Sequence, residues 1–152
     1  MPESKSRGGL CVTMEELAHY GRWFPDEGYP SPLWWFDARR GEMLPVEAAC
    51  RACGCERAED LDVEACKAVD IIPCFQVDIP SLERKYARAY IFEPQRTALL
   101  RLDGRALDRE FRRVIEANGL ARHWYAYELR ALTEAAQCWQ RENRVNAVRE
   151  RP

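Results

Sequence analysis

The stretch "ALDREFRRVIEANGLARHWYAYE", Ala106–Glu128, decides how the second half of this chain is read. Leu107, Phe111, Val114 and Asn118 recur at helical spacing, with Arg105, Arg109, Arg112 and Glu116 opposite them. Gly119 supplies the stop, since glycine enters a left-handed cap conformation without a side-chain penalty. A further helix is expected from Ala121 to Asn143, carrying Tyr125, Leu129, Leu132, Ala136 and Trp139 on a 4-3-4-3 seam. Just upstream, Ser81 can cap "LERKYARAYIF", and "RTALLRL" can add another turn or two before Gly104. Residues 82–145 therefore read as helical.

The first half changes period several times. Thr13 and Glu16 in "TMEELAHYG" form a capping box, and Gly21 stands at the expected stop of a short helix that buries Leu17. "FPDEGYPSP", residues 24–32, is punctuation. "LWWFDARRGEMLPV" has two apolar runs around a polar loop ending in Gly41, which predicts a β-hairpin with Trp34 and Phe36 on one face and Trp35 and Asp37 on the other. "PVEAACRACG" begins with a proline suited to a first helical turn and ends in Gly54, suited to the position after a helix. "DLDVEACKAVD" predicts a second short helix with Leu61, Ala65 and Val69 on one side, and "VDIIPCFQVDIP" an edge strand or two short ones, broken at Pro73. The class expected is α+β: a small antiparallel hairpin or sheet packed on a predominantly helical C-terminal half. One globular domain is expected over residues 10–145, with polar tails at 1–9 and 146–152.

At 152 residues with 47% hydrophobic and 32% charged positions, the chain can bury a core without covalent staples. No apolar run approaches the roughly 18 residues of a membrane span, and the start lacks the apolar stretch of a secretion signal. A cytoplasmic protein with no membrane partner is expected. Its seven cysteines are then expected to be thiols, not disulfides. Charge is uneven: residues 1–81 hold 8 Lys and Arg against 15 Asp and Glu, and residues 82–152 hold 15 against 10, which sums to the net −2. The halves are suited to attract each other, and the basic half is too sparse to name a nucleic-acid binder by itself.

"FRRVIEANGLARHWYAYE" followed by "CWQRENRV" resembles the C-terminal signature of uncharacterised protein family 0158, a group of small bacterial proteins. The matching positions are Phe111, Arg112, Gly119, Leu120, Trp124, Tyr125, Tyr127, Trp139 and Asn143. Upstream, "WFDARRGEM" is similar to the family's hairpin through Phe36 or Trp35, Asp37, Gly41 and Glu42. The resemblance covers roughly residues 34–145. The pattern departs at Asp108, where the family has a second Phe whose packing Leu107 would take over, and at Arg40, where it has Thr. The resemblance implies membership and supplies no activity.

Three candidate sites follow. Cys50-x₂-Cys53-x-Cys55-x₁₀-Cys66 offers thiolates for zinc, the one cofactor considered, although the second knuckle is missing and no histidine is near. The plainer reading puts Cys50 and Cys53 on one helical face as small apolar residues, with Cys55 beyond the stop. Asp37 and Glu42 form an acidic pair that would serve a small hydrolase as acid and base; the plainer reading has Asp37 bonding its own turn. Last, Arg109, Arg112, Arg113, Arg122, His123, Trp124, Tyr125 and Tyr127 form a basic-aromatic helical face for an acidic protein, peptide or nucleic acid, unless the rings simply cross-pack two helices. The function expected is a non-catalytic interaction or ligand-binding module using that face. A zinc-stabilised module and a hydrolase are the alternatives.

Overall fold

The computed structural model describes residues 12–25 and 32–145. The expected tails at 1–9 and 146–152, and most of the proline-rich punctuation, lie outside the described residues. Helix α1 (Met14–Tyr20) leads to β1 (Arg22–Trp23), and the hairpin β2 (Trp34–Asp37) and β3 (Glu42–Pro45) runs directly into α2 (Val46–Ala52). A single 3-10 turn (Ala58–Asp60) precedes α3 (Val63–Ala68), β4 (Ile71–Pro73) and β5 (Val77–Asp78). Four helices finish the chain: α4 (Ile79–Tyr90), α5 (Gln95–Leu100), α6 (Gly104–Ala117) and α7 (Ala121–Asn143). The class is α+β, with a helical C-terminal half.

Local signals explain most boundaries. Thr13 and Glu16 close the expected capping box, Glu16 N–H donating to Thr13 Oγ1 at 3.2 Å. Gly21 ends α1 for want of room, because a Cβ there would run into the Phe75 ring. Pro45 is the N-cap of α2, one position earlier than a first-turn proline, because β3 hands its chain straight to the helix. Helix α4 starts ahead of Ser81: Asp78 caps it by accepting from the Ser81 N–H at 2.9 Å, and Pro80 sits in the first turn where no donor is needed.

Strand β2 is central in a three-stranded antiparallel sheet of order β3-β2-β4, so β4 is an edge strand as its proline requires. Strands β1 and β5 form a separate parallel pair. Alternation along β2 sends Trp35 and Phe36 to opposite cores. Trp35 joins Val46, Ala49, Cys66 and Ile71 under α2 and α3. Phe36 joins Leu17, Ile72, Ala136 and Trp139 under α1 and α7. Of the residues expected on one side of α3, Leu61 packs partly buried against the Trp35 core while Ala65 and Val69 are exposed, and Cys66 is the helix's buried residue.

Helix α7 spans about 34 Å at 1.5 Å per residue and is shared by both halves. Its buried line is Trp124, Glu128, Leu132, Ala136 and Trp139, so the expected seam holds at Leu132, Ala136 and Trp139 and shifts by one residue at its start, from Tyr125 and Leu129 to Trp124 and Glu128. Tyr125 instead points outward and donates to Glu15 of α1. Leu107 is fully buried, as its expected packing role requires. No described helix is long and apolar enough to cross a membrane.

Trp139 anchors the sheet side, with Phe36 and Phe75 centroids at 5.6 and 5.8 Å and its indole N–H donating to Pro73 O at 2.9 Å. Trp139→Ala is expected to lower the unfolding free energy by about 3–5 kcal/mol. Chemical denaturation monitored by circular dichroism checks this; a loss under about 1 kcal/mol would show that the sheet does not hang on α7.

Candidate functional site

Gly119, at φ 67°, forms the reversal that brings α6 and α7 together. Leu120 N–H returns to Ile115 O at 2.9 Å and Gly119 N–H to Glu116 O at 3.2 Å, a paired closure of the last turn of α6. Phe111 and Trp124 therefore meet edge to face at 4.6 Å. Helix α4 crosses this corner and inserts Tyr86, which is fully buried and touches Phe111, His123, Trp124 and Tyr127 with centroids 5.2–5.7 Å away. The Tyr86 hydroxyl lies 2.7 Å from His123 Nδ1. Burial, then the neighbouring Tyr90 and Tyr127, pushes the Tyr86 hydroxyl pKa above its ordinary value.

The ring cluster reaches the surface at one end. Tyr90 packs against Tyr86 and His123 at 4.8 and 4.6 Å and is 44% exposed. Phe92, two residues on, is 86% exposed. Lys85 and Arg88 on α4 and Arg122 at the start of α7 are exposed and form no ion pair among the described residues. Glu93, beside Phe92, is already engaged: its carboxylate accepts from the Thr97 N–H at 2.9 Å and hydroxyl at 2.7 Å, which holds its pKa below the usual range.

The eight residues expected to share one basic-aromatic face do not all do so. Trp124 is buried. Arg112 donates to both Asp108 oxygens at 3.2 and 3.3 Å, and Arg113 pairs with Glu110. Tyr125 turns toward α1, while Arg109 and Arg122 stay exposed and unpaired among the described residues. His123 and Tyr127 belong to the ring cluster. The expectation left out the exposed residues of α4 and the segment after it, Lys85, Arg88, Tyr90 and Phe92, although "KYARAYIF" shows the same interleaving of rings and cations.

Beneath this face lies a buried carboxylate group. Glu83 of α4 is 0% exposed and neither carboxylate oxygen has a hydrogen-bond partner. Burial, then Asp108 beside it, pushes its pKa up to about 9, so Glu83 is a neutral acid at pH 7. Asp108 is held below its usual value despite burial, with Arg112 and Arg105 supplying positive charge beside it. Glu128 of α7 is taken by Arg22 of β1, whose Nε donates at 3.2 Å. Asp108 thus keeps its charge through Arg112 and Arg105, while Glu83 beside it stays neutral.

Asp37 and Glu42 face each other across the end of the hairpin. Asp37 Oδ1 accepts from the Arg39 and Arg40 N–H groups at 3.0 and 3.1 Å, and the Arg40 side chain lies 4.0 Å from Asp37 and 3.9 Å from Glu42. A cavity of about 340 Å³ is lined by Asp37, Arg39, Arg40, Ala52, Val69 and Ile71, but not by Glu42. Asp37 therefore lines this cavity without Glu42 and braces its own loop.

The cysteines form two pairs. Cys53 and Cys66 are joined as a disulfide, which corrects the expectation of free thiols for that pair, while Cys50, Cys55, Cys74 and Cys138 are free. Cys50 Sγ lies 2.7 Å from Cys55 Sγ; that contact, then burial, pushes the Cys50 thiol up to about 11. Buried Cys74 lies apart, its thiol pushed far up by desolvation. No three His, Cys, Asp or Glu side chains among the described residues are arranged to hold a metal ion.

Comparisons with protein-family models, curated proteins and solved structures find no match to this chain.

Glu83 gives a signed pH test. Below about pH 4.5 the acid is protonated folded or unfolded. Between there and about pH 9 the folded state holds one proton more, so stability falls as pH rises, and above pH 9 the dependence ends. Glu83→Gln mimics the neutral acid and is expected to be more stable than wild type by on the order of 1–3 kcal/mol at pH 7, the gap widening toward pH 8.5 and closing near pH 5. Urea unfolding at these three pH values checks it; a gap independent of pH would contradict a neutral buried Glu83.

Proposed function

We propose that this protein is a non-catalytic binding module that takes an acidic peptide segment of a partner onto the face formed by the end of α4 and the start of α7. The observation that carries this reading is that the end of α4 and the start of α7 hold exposed rings, Tyr90 and Phe92, and exposed cations with no carboxylate partner among the described residues, Lys85, Arg88 and Arg122. Aromatic side chains offer large contact area at small entropic cost, and unpaired cations steer an acidic partner and fix its register. Tyr90 rests on buried Tyr86, so the anchor is held by packing before any partner arrives.

A peptide suits the face better than a nucleic-acid strand. Strand binding draws on several phosphate contacts, whereas Arg84, Arg96, Arg105, Arg112, Arg113 and Arg130 are all occupied by carboxylates of the same chain. The likeness to family 0158 enters only as the proposal that related chains share the α6–α7 corner.

Fluorescence anisotropy with a labelled peptide alternating Glu with Leu and Phe tests the reading. It is expected to bind with a salt-sensitive affinity. Tyr90→Ala is expected to weaken binding about 10- to 30-fold, and the double charge reversal Arg88→Glu, Arg122→Glu to remove most of it. Equal binding of the Lys-for-Glu peptide, stronger binding of a single-stranded oligonucleotide, or indifference to these substitutions would overturn it.

A further inference from the structure

The stop of α2 gathers more sulfur than a helix end requires. Gly54 at φ 76° turns the chain back, so that Cys55 N–H bonds Cys50 O at 3.1 Å and Gly54 N–H bonds Arg51 O at 3.2 Å. This closure lays Cys55 over Cys50, and their sulfurs reach 2.7 Å. Cys53, one turn after Cys50, is the C-cap and is tied to Cys66 of α3. Four sulfurs are thereby attached to one helix end, two through the cap hydrogen bonds and two through a covalent bond.

We infer that this cap is a redox-gated site for a thiophilic divalent cation of the zinc type, bound by Cys50, Cys53, Cys55 and Cys66 once the Cys53–Cys66 bond is reduced. Zinc–thiolate bonds of about 2.3 Å place neighbouring sulfurs about 3.8 Å apart in a tetrahedron. Cys50 and Cys55 would separate by about 1 Å to reach that spacing, and the released Cys53 and Cys66 sulfurs would turn toward them, since as joined no three side chains are placed to hold an ion. Cys53 and Cys55 are half-exposed, which gives an ion a way in. The connecting segment carries Glu56, Glu59, Asp60, Asp62 and Glu64 against Arg57 alone, a field that favours a cation over an anionic oxidant.

The chemistry balances in two steps. A dithiol or phosphine reductant supplies two electrons, the Cys53–Cys66 bond breaks, and two protons from solvent complete the two thiols. Four sulfur–metal bonds then form as the four thiols release their protons to solvent. The disulfide and the metal are thus alternative cross-links between α2 and α3, one for each redox state.

The full-length protein, reduced anaerobically with a phosphine and titrated with Co²⁺ and then Zn²⁺, tests this. One ion per chain is expected, with tetrahedral thiolate-to-cobalt absorption that zinc displaces, and with four cysteines protected from alkylation by bound zinc. Cys55→Ser and Cys66→Ser are each expected to weaken binding at least tenfold, whereas Cys138→Ser, at an exposed thiol on α7, leaves it unchanged. Alkylation counting on the wild-type chain gives the answer even where a variant fails to fold. No metal uptake, fewer than four protected thiols, or closure of a Cys50–Cys55 disulfide two hydrogens lighter in place of metal would overturn the inference.

Discussion

Helix α7 has to close two cores with one apolar line. Trp124 packs with Phe111 and Tyr86 in the helical half, and Trp139 packs with Phe36 and Phe75 on the sheet. Leu132, between them, meets Ala18 and Ile79, where the two halves join. A straight helix cannot rotate one end without rotating the other, so the register of α7 fixes α1 and the sheet relative to α4 and α6. The reversal at Gly119 and the bond from Trp139 to Pro73 set that register from opposite ends.

This register has an electrostatic consequence. The same line of α7 that carries Trp124 and Leu132 must place Glu128 inside, where Arg22 receives it. Asp108 comes inside from α6 and holds Arg112 and Arg105, and Glu83 enters from α4 as a neutral acid. Several cations of the basic half are thus used on its own carboxylates. The ones left without partners among the described residues include Lys85, Arg88 and Arg122, close in the chain to the exposed rings. The proposed binding face is what remains after the interior charges have been matched.

Much of the fold was legible because its signals are local. The box of Thr13 and Glu16, the hairpin alternation through Trp35 and Phe36, and the stops at Gly54 and Gly119 depend only on nearby residues. The errors came where tertiary partners override pattern. Glu128 and Asp108 look like surface residues in sequence, so the buried line of α7 was placed one position off, at Tyr125, and Asp108 was read only as a lost Phe. Arg112 and Arg113 are not free cations, because each has a carboxylate partner within one turn of its own helix. Cys66 and Cys53 are 13 positions apart, and nothing short of the α2–α3 packing brings them together. The exposed rings and cations of "KYARAYIF" are separable from its buried residues only once Tyr86 is known to point inward and Tyr90 outward.

Amide hydrogen exchange on the full chain, with and without a saturating acidic-aromatic peptide, tests the central claim most directly. The α4–α7 face predicts slowed exchange confined to residues 85–92 and 121–127, with the hairpin at 34–45 unchanged. Protection confined to the hairpin or to the α2–α3 segment, or no protection at saturation, would contradict it.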